Sequence, residues 1–149
     1  MIRGARLFAA LLAIGLVVSA RDRVISEKTA RKLVREALVA MGDDWSSAPF
    51  EPLKDYWAPE FYSFMAYLPG PEINGVSVLQ TQYLAVNPWT GDVWDDTECR
   101  IITSPVIQKE QEAIWSRSRL PADARLPLHD KSPASCALIN GKRTERKYK

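Results

Sequence analysis

Little in this sequence can carry catalysis. Its 149 residues hold one histidine, His129, and two cysteines, Cys99 and Cys136. A nucleophile needs a base within hydrogen-bond reach. A Cys99–His129 pair would be one such arrangement, and it would require Cys99 to stay reduced. No G-x-S-x-G elbow, G-x-G-x-x-G turn or phosphate-binding loop is present. Zinc takes several Cys or His ligands at short spacing, and these scattered residues do not supply one. The acidic group Asp92, Asp95, Asp96 and Glu98 is dense enough in oxygen for Ca²⁺, but its spacing is not that of an EF-hand loop. It reads as a solvated hairpin end. No metal or other cofactor is expected, and no enzyme activity.

The chain also lacks an apolar run of the roughly 20 residues that a membrane span needs. Met1 to Ala20 instead has a basic start (Arg3, Arg6), an apolar stretch from Leu7 to Val18, and Val-Ser-Ala before Arg21. This is the layout of a secretory signal peptide. The expected organisation is a signal over residues 1–20, one α+β domain over 21–120, and a basic, mostly irregular tail over 121–149. The expected location is periplasmic or secreted, with no stable membrane span after cleavage. In that setting an even cysteine count favours a Cys99–Cys136 disulfide. The formal charge of +2 vanishes with the two signal arginines. The tail holds seven Lys/Arg against three Asp/Glu, so the remainder is acidic. Nucleic-acid binding, which needs a clustered basic face, is disfavoured.

What the chain does have is pattern. In QTQYLAVNPWTGDVWD, Thr81, Tyr83 and Ala85 alternate with Gln82, Leu84 and Val86, which is strand spacing. Asn87-Pro88 stops the strand, Gly91 supplies a turn position, and Val93-Trp94 starts the return. Trp94 is expected to pack on the sheet. Trp89 sits at the turn and is expected to be exposed, which makes Pro88, Trp89 and Thr90 the candidate contact residues. Ile25 to Met41 is the clearest helix: Ser26 caps it, and Ala30, Leu33, Val34, Ala37 and Leu38 recur on one face. The segment from Asp43 to Pro59 reads as an ordered loop across the sheet edge, and an aromatic ligand groove at Trp45–Trp57 is the alternative. Phe61 to Leu68 reads as a strand broken by Pro69-Gly70-Pro71. Asn74-Gly75 is a turn signal before a strand from Val76 to Val86. Ser104-Pro105 opens a second, surface helix that ends by Leu120.

The first helix, with Ile25, Ser26 and Ala30, and the hairpin, with Tyr83, Val86, Thr90, Gly91 and Val93, together resemble the PepSY domain over about half the chain. The resemblance implies a cystatin-like α+β module, exported or membrane-linked, and inhibition of a protease in trans. The long proline-aromatic connection, the cysteine pair and the second helix depart from that pattern. The expected architecture is an N-terminal helix on a three- to four-stranded antiparallel meander, with a C-terminal second helix. The expected function is binding of another exported protein or a peptide, through the turn or by pairing at an exposed strand edge. The competing expectations are an envelope enzyme or small-ligand binder using the Trp45–Trp57 loop, and a structural envelope protein with no discrete site.

Overall fold

A computed structural model describes residues 23–54, 60–129 and 131–136. The signal segment, Tyr56 and Trp57, and the basic end from Gly141 to Lys149 lie outside the described residues. Helix α1 spans Glu27–Met41, and a single helical turn, α2, spans Asp43–Ser46. Five strands follow: β1 Phe50–Leu53, β2 Tyr62–Ile73, β3 Val76–Val86, β4 Val93–Asp95 and β5 Arg100–Ile102. Helix α3 spans Pro105–Arg117, and the short α4 spans Arg125–His129. The sheet is an antiparallel meander in the order β1-β2-β3-β4-β5. The fold is therefore α+β, an N-terminal helix on an antiparallel sheet with further helices after it. No helix among the described residues is long and apolar enough to cross a membrane.

Helix α1 starts where its sequence says it should. Ser26 Oγ accepts the Thr29 N–H at 3.3 Å, which satisfies one of the donors that a helix start leaves open. The stripe Ala30, Leu33, Val34, Ala37 and Leu38 is buried in full. It packs on Phe64, Ala66, Leu84, Val86, Val93 and Ile102 from one face of the sheet, and on Ile107 and Ile114 of α3. Removing one such leucine side chain typically destabilises a domain by about 2–5 kcal/mol. Period two sends Phe61, Ala85 and Trp94 to the opposite face, where Ile101 joins them in a smaller cluster. Trp94 thus packs as its spacing predicts.

Three local expectations change. The segment after α1 holds a strand as well as loop: β1 pairs with β2 from Phe50↔Ala66 to Leu53↔Ser63, so the sheet has five strands instead of three or four. Pro52 is tolerated because β1 is an edge strand, where one N–H can face away from the ladder. Pro69-Gly70-Pro71 does not end β2. The ladder shifts register between Pro69 and Glu72 and then continues to Ile73↔Val76. The chain makes a bulge there, and Gly70 permits it, since a Cβ at that position would lie 2.4 Å from the Val78 carbonyl oxygen. In the described part of the tail, short helical segments at Ala122–Ala124, Arg125–His129 and Ala134–Cys136 stand where little regular structure was expected. Cys99 and Cys136 form a disulfide that ties the tail to the β4–β5 connection.

Candidate functional site: a closed turn and a projecting arm

The turn from Asn87 to Asp92 is built by its own side chains. Asn87 Oδ1 accepts the N–H groups of Trp89 (2.9 Å) and Thr90 (3.2 Å). The Asn87 N–H donates to the Asp92 carbonyl at 2.8 Å, and Gly91, at φ +76°, donates back to Asn87 at 2.9 Å. An L side chain at Gly91 would be strained, and its Cβ would also meet Ile114 Cδ1 at 2.8 Å.

Three parts of the chain then close over this turn. The Pro88 carbonyl accepts from Val24 and Ile25 just before α1, at 3.0 and 3.1 Å. Gln111 of α3 donates to Asp92 Oδ1 at 2.9 Å. From the tail, Leu128 accepts from Asn87 Nδ2 at 2.8 Å, His129 Nδ1 lies 2.6 Å from Asp92 Oδ2, and the Lys131 ammonium sits 4.4 Å from the Trp89 ring centre.

The expected site is therefore covered. Pro88, Trp89 and Thr90 are all buried, and Trp89 is 4% exposed. The expectation that Trp89 is exposed is corrected. A turn looks exposed in sequence, but tertiary elements can still close over it. The acidic group is corrected in the same way. Asp92 and Asp95 are each 1% exposed. Asp95 accepts from Gln82, from the N–H groups of Thr97 and Glu98, and from Arg100 Nε at 3.1 Å, which shapes the bend into β5. Asp96 accepts from the Ser135 hydroxyl. Burial pushes its carboxyl above the usual carboxylate range, against the lowering effect of Ser135 and with the Asp95 charge adding to the rise. No group of three or more His, Cys, Asp or Glu among the described residues is arranged to hold a metal. Cys99 is bonded to Cys136 and His129 faces Asp92, so the Cys99–His129 pair is not formed.

The Trp45–Trp57 alternative rests partly on residues 55–59, which lie outside the described residues, and beside the described part of that connection there is a groove. A space of about 490 Å³ lies between α1 and the β1–β2 edge, lined by Arg23, Arg31, Pro52, Leu53 and Tyr62 among others. The Arg23 guanidinium stacks 4.7 Å from the Tyr62 ring centre. Arg31 is held by Glu27 at 2.8 Å. Trp45 leans on the core instead of lining the groove.

The site that sequence reading missed is the far end of the β2–β3 hairpin. Strand β1 leaves β2 at Ala66, and β4 leaves β3 at Leu84, yet β2 and β3 stay paired out to Ile73↔Val76. The two strands beyond that point form an arm, closed by Asn74 (φ 53°) and Gly75 (φ 78°). Positive φ at both central residues is the hairpin turn whose twist matches the strands. At about 3.3 Å per residue the arm reaches roughly 20 Å past the core. It carries Ile73, Val76, Val78 and Leu79 exposed, with Val76 at 64% and Leu79 at 61%. Over Pro69 to Thr81 the only charged residue is Glu72. The signal was present as an apolar alternation running to the Asn74-Gly75 turn, with no lysine to interrupt it.

These features define a small α+β module with a sealed turn and an apolar arm. No family model matches the chain, and no curated protein matches it. Among solved structures it is similar in fold to a chain of a type VI secretion system effector–immunity complex from Pseudomonas protegens. The TM-score is 0.57 at 16% identity, over 74% of this chain and 92% of that one.

Proposed function

We propose that the protein is an exported binding module whose partner is another protein, docked on the β2–β3 arm. The observation that carries this reading is the exposure of Ile73, Val76 and Leu79 on a hairpin held by a specified turn and a glycine-dependent bulge. An apolar ribbon held away from the core adds little to folding and invites association, so its exposure fits a surface that a partner covers. The disulfide fits an oxidising compartment. The likeness in fold to one chain of an effector–immunity complex supports a protein partner and carries the reading further. On this reading the chain is one half of such a pair, and its exposed arm, as a docking surface, favours the immunity half. Inhibition of an exported protease, which the PepSY resemblance implies, is a narrower form of the same reading.

The test uses residues 21–149 with the disulfide intact as bait against the envelope fraction of the native host. A copy carrying Val76→Asp and Leu79→Asp serves as comparison. A protein retained by the first and lost by the second supports the reading. Equal retention by both overturns the arm as the docking surface.

A further inference from the structure

The two edges of the arm differ, and the difference points to how a partner binds. In β2 the Tyr67 N–H faces outward, donating to Pro49 at 3.2 Å beside β1. Alternation puts Pro69 at the next outward position, where it has no N–H to offer. The bulge at Gly70-Pro71 then breaks the register. These are the devices by which natural sheets blunt an edge. The β3 edge carries none of them. Its outward parity is fixed by the Tyr83 carbonyl, which accepts from Asp96 at 2.9 Å on the β4 side. Ser77, Leu79 and Thr81 share that parity, so their N–H and C=O groups face the same side. Among the described residues no strand pairs with β3 there, since β4 joins it only from Leu84. The run Val76 to Gln82 holds no proline and no charge.

Resting on the protein-binding reading above, we infer that an extended segment of the partner adds to the sheet along β3, opposite Ser77 to Thr81. It takes the slot that β4 vacates when the chain turns away at Asp96. The chemistry of the slot defines the segment. Its body is uncharged, because Val76 to Gln82 offers no ion to pair with. Apolar residues at alternate positions meet Val76 and Val78 on one face or Leu79 on the other. Main-chain hydrogen bonds supply the affinity, and side chains at every second position supply the selection.

The experiment separates this mode of binding from the reading beneath it. The partner captured above is identified, purified and titrated against three versions of residues 21–149: wild type, Thr81→Ala and Thr81→Pro. Both variants lose the threonine side chain, but only proline removes the outward N–H, at an edge position where folding tolerates it. The expected result is a Kd unchanged by alanine and raised about tenfold or more by proline, the scale of a lost main-chain pairing. Hydrogen exchange on the wild-type complex checks the same point without a variant, and the Leu79 and Thr81 amides should become protected. Equal affinity of the two variants together with unprotected Leu79 and Thr81 amides overturns strand addition, and leaves the arm as a side-chain surface if Val76→Asp/Leu79→Asp still abolishes binding. If the wild type captures no partner, the protein-binding reading itself falls, and strand addition with it. A wild-type dimer that Thr81→Pro dissolves assigns the edge to a second copy instead and overturns the partner segment.

Discussion

The Asn87–Asp92 turn and the Asn74–Gly75 turn close neighbouring hairpins in one sheet, and their fates are opposite. The first is polar in sequence and buried in the structure, with Asn87, Thr90 and Asp92 each bonded inward. The second is flanked by Ile73, Val76 and Val78, yet it stands in solvent. The difference lies in what packs against each turn. The residues just before α1, Gln111 of α3 and the tail all reach the first turn, because the meander ends beside the helix that opened the chain. Nothing among the described residues reaches the second, because β1 and β4 are too short to follow β2 and β3 outward. A turn's own composition therefore says less about its exposure than the lengths of the strands next to it.

Four measurements can break or sharpen this contrast. The largest effect is expected at Trp89. Trp89→Ala should destabilise the fold by about 3–5 kcal/mol, as large aromatic deletions in cores do. Urea unfolding checks it, and a change within 0.5 kcal/mol would return Trp89 to the surface. Next comes the tether. Replacing Cys99 and Cys136 together with serine should lower stability by about 3–4 kcal/mol in the chain-entropy account of a loop this long. Hydrogen exchange at Asn87 to Asp92 should speed up with it, because the tail would no longer be fixed over the turn. The arm should behave the other way: Val76→Asp should shift stability by no more than about 0.5 kcal/mol, as substitutions at open surface do. A large drop in melting temperature would show that the arm packs on something. The smallest effect is at Asp96. Its raised affinity for a proton means that the folded state binds more protons than the unfolded one between the two pKa values. Stability therefore falls as pH rises through that window, and the penalty persists above it. Asp96→Asn keeps an acceptor for Ser135 and removes the penalty. The variant should be more stable than wild type at neutral pH and equal to it near pH 3, below the ordinary carboxylate range. Equal urea midpoints at both pH values would contradict this.

How much was legible can be read from single residues. Ser26, Leu33 and Leu38 announced α1, because a cap and a 3.6-residue stripe are local properties. Ser104-Pro105 announced α3 for the same reason: Ser104 Oγ accepts the Ile107 N–H at 3.2 Å. Leu84 and Ala85 announced both faces of β3. The Cys99–Cys136 pairing followed from there being two cysteines and one possible bond. By contrast, Pro69-Gly70-Pro71 looked like a strand end, because a bulge is visible only when the partner strand is in place. His129 was weighed only as a partner for Cys99, and its place beside Asp92 depends on a contact across 37 positions of sequence.

The sequence alone determined the α+β class, the N-terminal starts of α1 and α3, the strand periodicity and the disulfide. Each of these depends on neighbours within a turn or two, or on a simple count. The tertiary structure alone decided that the Trp89 turn is sealed and that the β2–β3 arm projects with one blunted and one open edge. Burial and edge exposure are set by which distant elements arrive to cover a surface. That depends on the relative lengths and directions of all five strands together, which no local pattern encodes.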